Sequence, residues 1–362
     1  MKFSALSRTG FAVALSAVLA SMVAPTQAET LDNMFGNVSP SIRDRMFFRI
    51  NYIRANVKTT SGDAYDVTGP VISRGEIAKL GTGGSYNYPR ASVGVRRQYS
   101  TVAPLFDQAL TDDADAGCEA ERNGLGTPCG IRARGQAMVG TPAISLGYYF
   151  DDDLSWVLEA YVLAAPMSVD VYGEGKNQLS GHNIMKLKLL PPTAVLGKYF
   201  GDRKDAIRPF LGVGGSYAIF FDVRATDYLN TYQGGASAGD TTISIKNVMG
   251  FGPFVGLKAD LDSDWHMSVN VGKLRYKTEA TIVTRNTTIT KDSLVLQDFG
   301  INAQNAISAG NGTITPNGTT SLMCDLAAAK YGNSTCNQGT YVRKQSTVLD
   351  NTLFMIGVGR SF

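Results

Sequence analysis

Few side chains in this sequence are equipped for chemistry. Four cysteines stand as two local pairs by spacing, Cys118 with Cys129 and Cys324 with Cys336, and neither histidine, His182 or His266, lies near either pair. With no histidine beside them a zinc site is less expected than disulfides, with free thiols as the other reading. Four cysteines still allow three connectivities. Each local bridge would close a loop of about a dozen residues, which chain-entropy estimates put at about 3 kcal/mol. Gly212-Val213-Gly214-Gly215-Ser216 is glycine-rich but belongs to an alternating run. It lacks the strand-to-helix setting of a phosphate loop or a nucleophile elbow. What remains is a set of charged and amide groups, Arg49, Asn51, Glu159, Lys198, Lys258 and Asn270, within segments otherwise rich in apolar residues. Charges in such surroundings must be paired or hydrated, so ion pairing is expected there rather than catalysis. No catalytic residue, metal or cofactor is expected, and the chain reads as a non-enzyme.

The elements that carry these groups begin after an export signal. Residues 1–28 place Lys2 and Arg8 before an apolar stretch from Phe11 to Val23 and end on Thr26-Gln27-Ala28, the pattern of a cleaved secretory leader. Export fits the disulfide reading, because thiols close in oxidising compartments. Losing the two leader cations takes the formal charge from +3 to +1, which suggests no nucleic-acid partner. The remaining 29–362 is expected to be one domain. No later segment approaches the roughly 18 consecutive apolar residues of a spanning helix. The full chain's 39 glycines, 16 tyrosines and 16 phenylalanines accompany alternating segments of about ten residues, which together point to a transmembrane β-barrel.

Period-two alternation predicts eight antiparallel strands, near 47–58, 143–150, 154–171, 184–200, 208–223, 248–261, 265–283 and 349–362. An even count closes a bacterial barrel without an open edge in lipid. Short polar turns at 151–153, 201–207 and 262–264 alternate with long connections near 59–135, 172–183, 224–247 and 284–347. Outer-membrane barrels keep their short turns in the periplasm, so both termini are expected there and both cysteine pairs outside. Tyr149, Phe150, Trp156, Tyr199, Phe200 and Trp265 are expected to form an aromatic girdle near those turns.

The run Leu189-Leu190-Pro191-Pro192-Thr193, then Lys198-Tyr199-Phe200-Gly201-Asp202, Arg208-Pro209-Phe210-Leu211-Gly212-Val213-Gly214 and Phe220-Phe221-Asp222 closely resembles the signature of the OmpW family, which includes AlkL-like proteins. The resemblance covers about 47–52 and 143–362. It implies a narrow eight-stranded barrel in the Gram-negative outer membrane that lets small hydrophobic compounds cross and leave sideways into the bilayer. The connections at 59–135 and 284–347 are longer than the family leads one to expect. The ending Gly359-Arg360-Ser361-Phe362 places arginine where an aromatic residue is usual, while Phe362 keeps the terminal aromatic read by the barrel assembly machinery.

Counting alternation inward places Arg49, Asn51, Glu159, Lys198, Lys258 and Asn270 in the periplasmic half as a polar plug. Above it the apolar parity changes, so Ile53, Val57, Met167, Val169, Val171, Leu190 and Phe220 are expected to line an apolar outer lumen, unless a bulge at each change returns them to lipid. Pro166, Pro191 and Pro192 lie at similar height on neighbouring strands and cannot donate to the ladder, which suggests a lateral seam. The expected function is passive uptake of small hydrophobic solutes through that lumen and seam, in contact with outer-membrane lipid and lipopolysaccharide. The alternative is a receptor or adhesion platform that acts through its long outer loops. The solute's identity and the oligomeric state are not legible in the sequence.

Overall fold

Alternation between the two faces of a strand is carried through here by strands long enough to cross a membrane obliquely. The computed structural model describes residues 40–73, 124–135, 138–262, 264–289, 293–299 and 337–362. The proposed leader, Cys118, Cys324, Cys336 and most of the two longest connections lie outside the described residues. Cys129 is disulfide-bonded. In chain order the strands are β1 (Met46–Ser61), β2 (Tyr65–Asp66), β3 (Ile72–Ser73), β4 (Gly124–Leu125), β5 (Arg132–Gly135), β6 (Met138–Tyr149), β7 (Trp156–Leu163) and β8 (Met167–Glu174). They continue with β9 (Asn183–Leu190), β10 (Thr193–Tyr199), β11 (Ile207–Ala225), β12 (Thr241–Ile245), β13 (Val248–Asp260), β14 (Trp265–Thr284) and β15 (Tyr341–Ser361). Three short helices join them: α1 (Pro40–Arg43), α2 (Asp227–Tyr232) and α3 (Leu294–Asp298).

The fold is all-β. Eight strands pair antiparallel in the order β1-β6-β7-β10-β11-β13-β14-β15, and β15 returns to β1, so the pairings close on themselves. At the long-connection end β9 pairs with β11, β8 with β9 and β5 with β8, which extends the ring's wall on that side. The third and fourth expected strands are each divided, into β7 and β8 and into β9 and β10, by segments containing Pro166 and Pro191-Pro192. The eighth begins at Tyr341, earlier than alternation alone indicates, because it keeps pairing with β14 up to Tyr341↔Thr284.

The short turns are built by aspartate. Asp151 accepts hydrogen bonds from the backbone N–H groups of Ser155 and Trp156 at 2.8 and 2.9 Å. Asp205 accepts from Asp202 N–H at 2.8 Å. Asp262 accepts from the N–H groups of Trp265 and Asp264 at 2.7 and 2.9 Å, and these bonds hold its carboxyl below the usual carboxylate range. Such side-chain caps let the chain reverse in a few residues without an unpaired donor.

One face of each ring strand is buried and the other exposed. On β1 the odd-numbered Phe47, Arg49, Asn51, Ile53, Ala55 and Val57 are buried, whereas Tyr52 is 45% exposed. Leu158, Leu196, Leu211, Val213, Val255 and Leu257 are likewise exposed, and together they give the ring an apolar outer belt. A soluble protein rarely exposes so continuous an apolar surface. Inside, small residues make room for large ones. A Cβ at Gly214 or Gly272 would fall 2.1 or 2.2 Å from the ring of buried Phe254.

Candidate functional site

A buried polar network fills the short-turn end of the ring. Arg49 on β1 donates from one terminal guanidinium nitrogen to Glu159 Oε2 at 2.7 Å, from the other to the Tyr199 hydroxyl at 3.1 Å, and from Nε to His266 Nε2 at 2.8 Å. Ser145 Oγ donates to Glu159 Oε1 at 2.7 Å and accepts from Asn51 Nδ2 at 2.9 Å. Arg49 and Glu159 are essentially without solvent exposure, so neither charge could be sustained without the other. Aromatic rings enclose the pair: Phe47 lies 4.2 Å beneath the Arg49 guanidinium and packs on Tyr149 and edge-on to His266. Beside them Lys258 pairs with Asp260 at 3.0 Å, and Arg208 donates to the carbonyl of Leu154 at 2.9 Å.

Of the residues expected in this plug, the structure brings together Arg49, Asn51, Glu159, Lys258 and Asn270, all buried, though Asn270 makes no direct bond to the arginine. Lys198 is a correction. It lies on the outer face of β10, with its ammonium 5.5 Å from the Trp156 ring and 6.0 Å from Phe200. An amphipathic lysine is at home there, its stem on apolar surface and its charge toward water. The same parity moves two girdle candidates inward: Tyr149 and Tyr199 are 2% and 1% exposed, while Phe150, Trp156 and Phe200 remain outside. Arg208, His266, Ser145 and Tyr199 were not among the expected plug residues. The alternation that turns Leu211 and Val213 outward already puts Arg208 inward, so that signal was present.

Above the plug, Ile53, Val57, Met167 and Val171 are buried, and Val169 and Phe220 are partly buried against them. No bulge reverses these faces. β1 keeps one unbroken register with β15 from Phe47↔Ser361 to Ser61↔Thr347. β7 and β8 keep one register with the second wall strand, because Ala143↔Leu163 and Gly135↔Val171 are the same number of residues apart on both sides. Leu190, which pairs with Ile219, is also partly buried against this cluster, and its neighbour Leu189, which pairs with Phe220, is buried. A misread parity lower on the fourth strand explains Lys198. That strand carries apolar side chains on both faces, Leu187, Leu189 and Val195 on one and Leu196 and Phe200 on the other.

The three prolines flank a break in the ladder. β7 pairs with β10 up to Tyr161↔Thr193, and β8 resumes with β9 at Met167↔Leu189, so six residue steps on one side oppose four on the other. Within the break, Ala164 N–H turns to Pro142 O, and Pro192 O accepts from Tyr217 N–H, so these groups bond to the outer neighbours rather than across the gap. The even mismatch keeps every inward residue inward on both sides.

The long-connection end is covered. Arg343, 1% exposed, pairs with Asp66 at 3.1 Å and donates to Thr127 Oγ1 at 2.8 Å. Asp66 also accepts from Thr127 N–H at 2.8 Å. On the other side α2 meets α3 where Tyr232 OH donates to Asp298 at 2.5 Å, and Leu229, Tyr232 and Leu296 are buried. His182 stacks on Tyr228 at 4.0 Å, away from the histidine of the plug.

The OmpW family model matches residues 112–297, just over half of the chain. The chain belongs to the OmpW family. It is 30% identical over 139 residues to outer membrane protein W of Vibrio cholerae, 38% of this chain and 59% of that protein. It is 34% identical over 98 residues to outer membrane protein W of Salmonella typhimurium, 27% of this chain and 43% of that protein. The chain thus spans roughly half the length of the curated relatives it matches. Among solved structures it is similar to the outer membrane protein OprG from Pseudomonas aeruginosa, at a TM-score of 0.49 and 15% identity, over 88% of this chain and 96% of that one. As an OmpW-family protein it is located in the Gram-negative outer membrane.

Proposed function

We propose that the ring is an eight-stranded transmembrane barrel that passes small hydrophobic molecules from outside into the bilayer. The short turns lie in the periplasm and the long connections outside. The exposed apolar belt supports a place in lipid, and the contrast of short turns with long connections supports the orientation. The observation that carries the reading is the ladder break at Pro166 and Pro191-Pro192, which begins one residue pair above the level of Ser145 in the plug. A ladder interrupted in lipid forgoes strand-to-strand bonds and has to satisfy its groups elsewhere, so a break held at that place calls for a use. A solute descending along Ile53, Val57, Met167, Val169 and Val171 meets the Arg49–Glu159 network and leaves sideways. Phe254, Leu274, Tyr276 and Met355 also occupy the interior, so passage displaces side chains, as expected of so narrow a ring.

The same proposal includes a cleaved leader at 1–28, assembly through the barrel machinery that reads Phe362, disulfides within the outer connections, and no enzymatic activity. A second reading, an outer platform for binding other molecules, is favoured by one observation: buried Arg343, paired with part-buried Asp66, gives the outer surface a packed interior of its own. The test is the uptake of a labelled short hydrocarbon beside a small sugar, in cells with and without the protein. Faster hydrocarbon uptake with unchanged sugar uptake is expected. Equal rates for both solutes in both cells would overturn the channel reading and favour the platform.

A further inference from the structure

The outer wall of β1, β15 and β14 changes character abruptly with height. Its lower rows, set by register, are Ile50, Val358 and Met267, then Tyr52, Ile356 and Val269. The rows above carry Arg54 beside Phe354, Lys273 beside Thr352, Lys58 and Arg275 on either side of Asp350, and Lys277 beside Val348. Successive outward rows are about 7 Å apart by strand rise, so five cations share a small face with one carboxylate. All five are exposed.

At two other places on the outer wall, pairs of cations share a carboxylate. Lys188 and Arg224 share Asp222 at 3.1 and 2.7 Å, and Lys246 and Lys344 share Glu279 at 3.2 and 3.0 Å. On this face only Arg275 approaches a carboxylate, Asp350 at 3.7 Å, and among the described residues Arg54, Lys58, Lys273 and Lys277 have none. Crowded like charges repel unless an anion sits among them. At the foot of the patch is a groove of about 330 Å³ lined by Tyr52, Arg54, Asn56, Met138, Phe354 and Ile356. Arg54 reaches across it to Met138 Sδ at 2.9 Å, so its charge stands at the boundary between apolar and cationic rows.

We propose that this face binds lipopolysaccharide, the phosphorylated glycolipid of the outer leaflet, with acyl chain in the groove and phosphates among Arg54, Lys58, Lys273, Arg275 and Lys277. Phosphates directly above acyl chains are what a cationic tier directly above an apolar tier complements. The proposal rests on the transbilayer reading above but not on the solute route.

The test uses the full-length protein purified in detergent, with heat-modifiable gel mobility as the check of folding, so a failure to form the barrel is told apart from a failure to bind. Native mass spectrometry then compares bisphosphorylated lipid A, its dephosphorylated form and phosphatidylglycerol. Bound bisphosphorylated lipid A is expected to exceed both other lipids. A variant with Lys58, Lys273, Arg275 and Lys277 changed to Gln should bind it at least about tenfold more weakly. If that variant does not fold, Lys273→Gln with Lys277→Gln serves, with a smaller loss expected. Equal lipid A binding by variant and parent, or equal binding of phosphatidylglycerol by the parent, would overturn the proposal, the latter in favour of a general anionic surface.

Discussion

Arg49 and Glu159 stand 110 positions apart in the chain and 2.7 Å apart in the ring, on strands separated by β6. The contact therefore runs across the interior rather than along a ladder, and it ties the first ring strand to the third. Removing one partner leaves a buried charge alone. Glu159→Ala should lower stability by about 3–5 kcal/mol, whereas the double change Arg49→Met with Glu159→Leu should cost far less or nothing. Urea unfolding in lipid vesicles, followed by tryptophan fluorescence, measures both. A loss below about 1 kcal/mol in the single variant would show that the pair does not brace the ring.

The ladder break gives a second prediction. Replacing Pro166, Pro191 and Pro192 with Val restores three backbone donors at the gap between β7–β8 and β9–β10. Hydrocarbon uptake should then fall toward that of cells lacking the protein, with the amount of folded protein unchanged. Full uptake in this variant would remove the sideways exit.

Lys198 separates the two faces of β10 experimentally. Its ammonium contacts Trp156 and Phe200 on the outer face, so Lys198→Met should change stability by no more than about 1 kcal/mol. If it destabilised the ring as much as Glu159→Ala, the lysine would belong to the interior after all.

The cover over the outer end can be loosened on its own. Asp66→Ala strands buried Arg343, and local opening near β2 should become easier by about 3–5 kcal/mol while the paired ring persists. Limited proteolysis should cut the outer connections faster in this variant. Faster hydrocarbon uptake alongside would mark the cover as a barrier on the route, and unchanged uptake would place it off the route.

Much of this was legible because alternation has a physical cause. Phe48, Ile50 and Tyr52 against Arg49 and Asn51 state a two-faced strand, and the Asp-rich turns state where it reverses. Arg49, Glu159 and Lys258 could be assigned to one interior from spacing alone. The fourth strand could not, because Leu187 and Leu189 face the inner cluster while Leu196 and Phe200 face out, and hydrophobicity does not distinguish the two environments. The partner of Arg343 was also out of reach. Asp66 lies in a connection with no periodic pattern, and only the closing of β15 on β2 brings them together.

The pairing of β15 with β1 extends over fifteen residues of each. Every other junction joins ring strands that follow one another in chain order, with only non-ring strands between them, but this one waits for the last strand to arrive. Until then β1 presents a row of unsatisfied N–H and C=O groups with an apolar flank, the kind of edge on which a foreign strand can dock. An unfinished ring therefore carries its most exposed edge at its very beginning, and only completion of the chain covers it. The sequence of closure is thus written into which strand lacks a local partner.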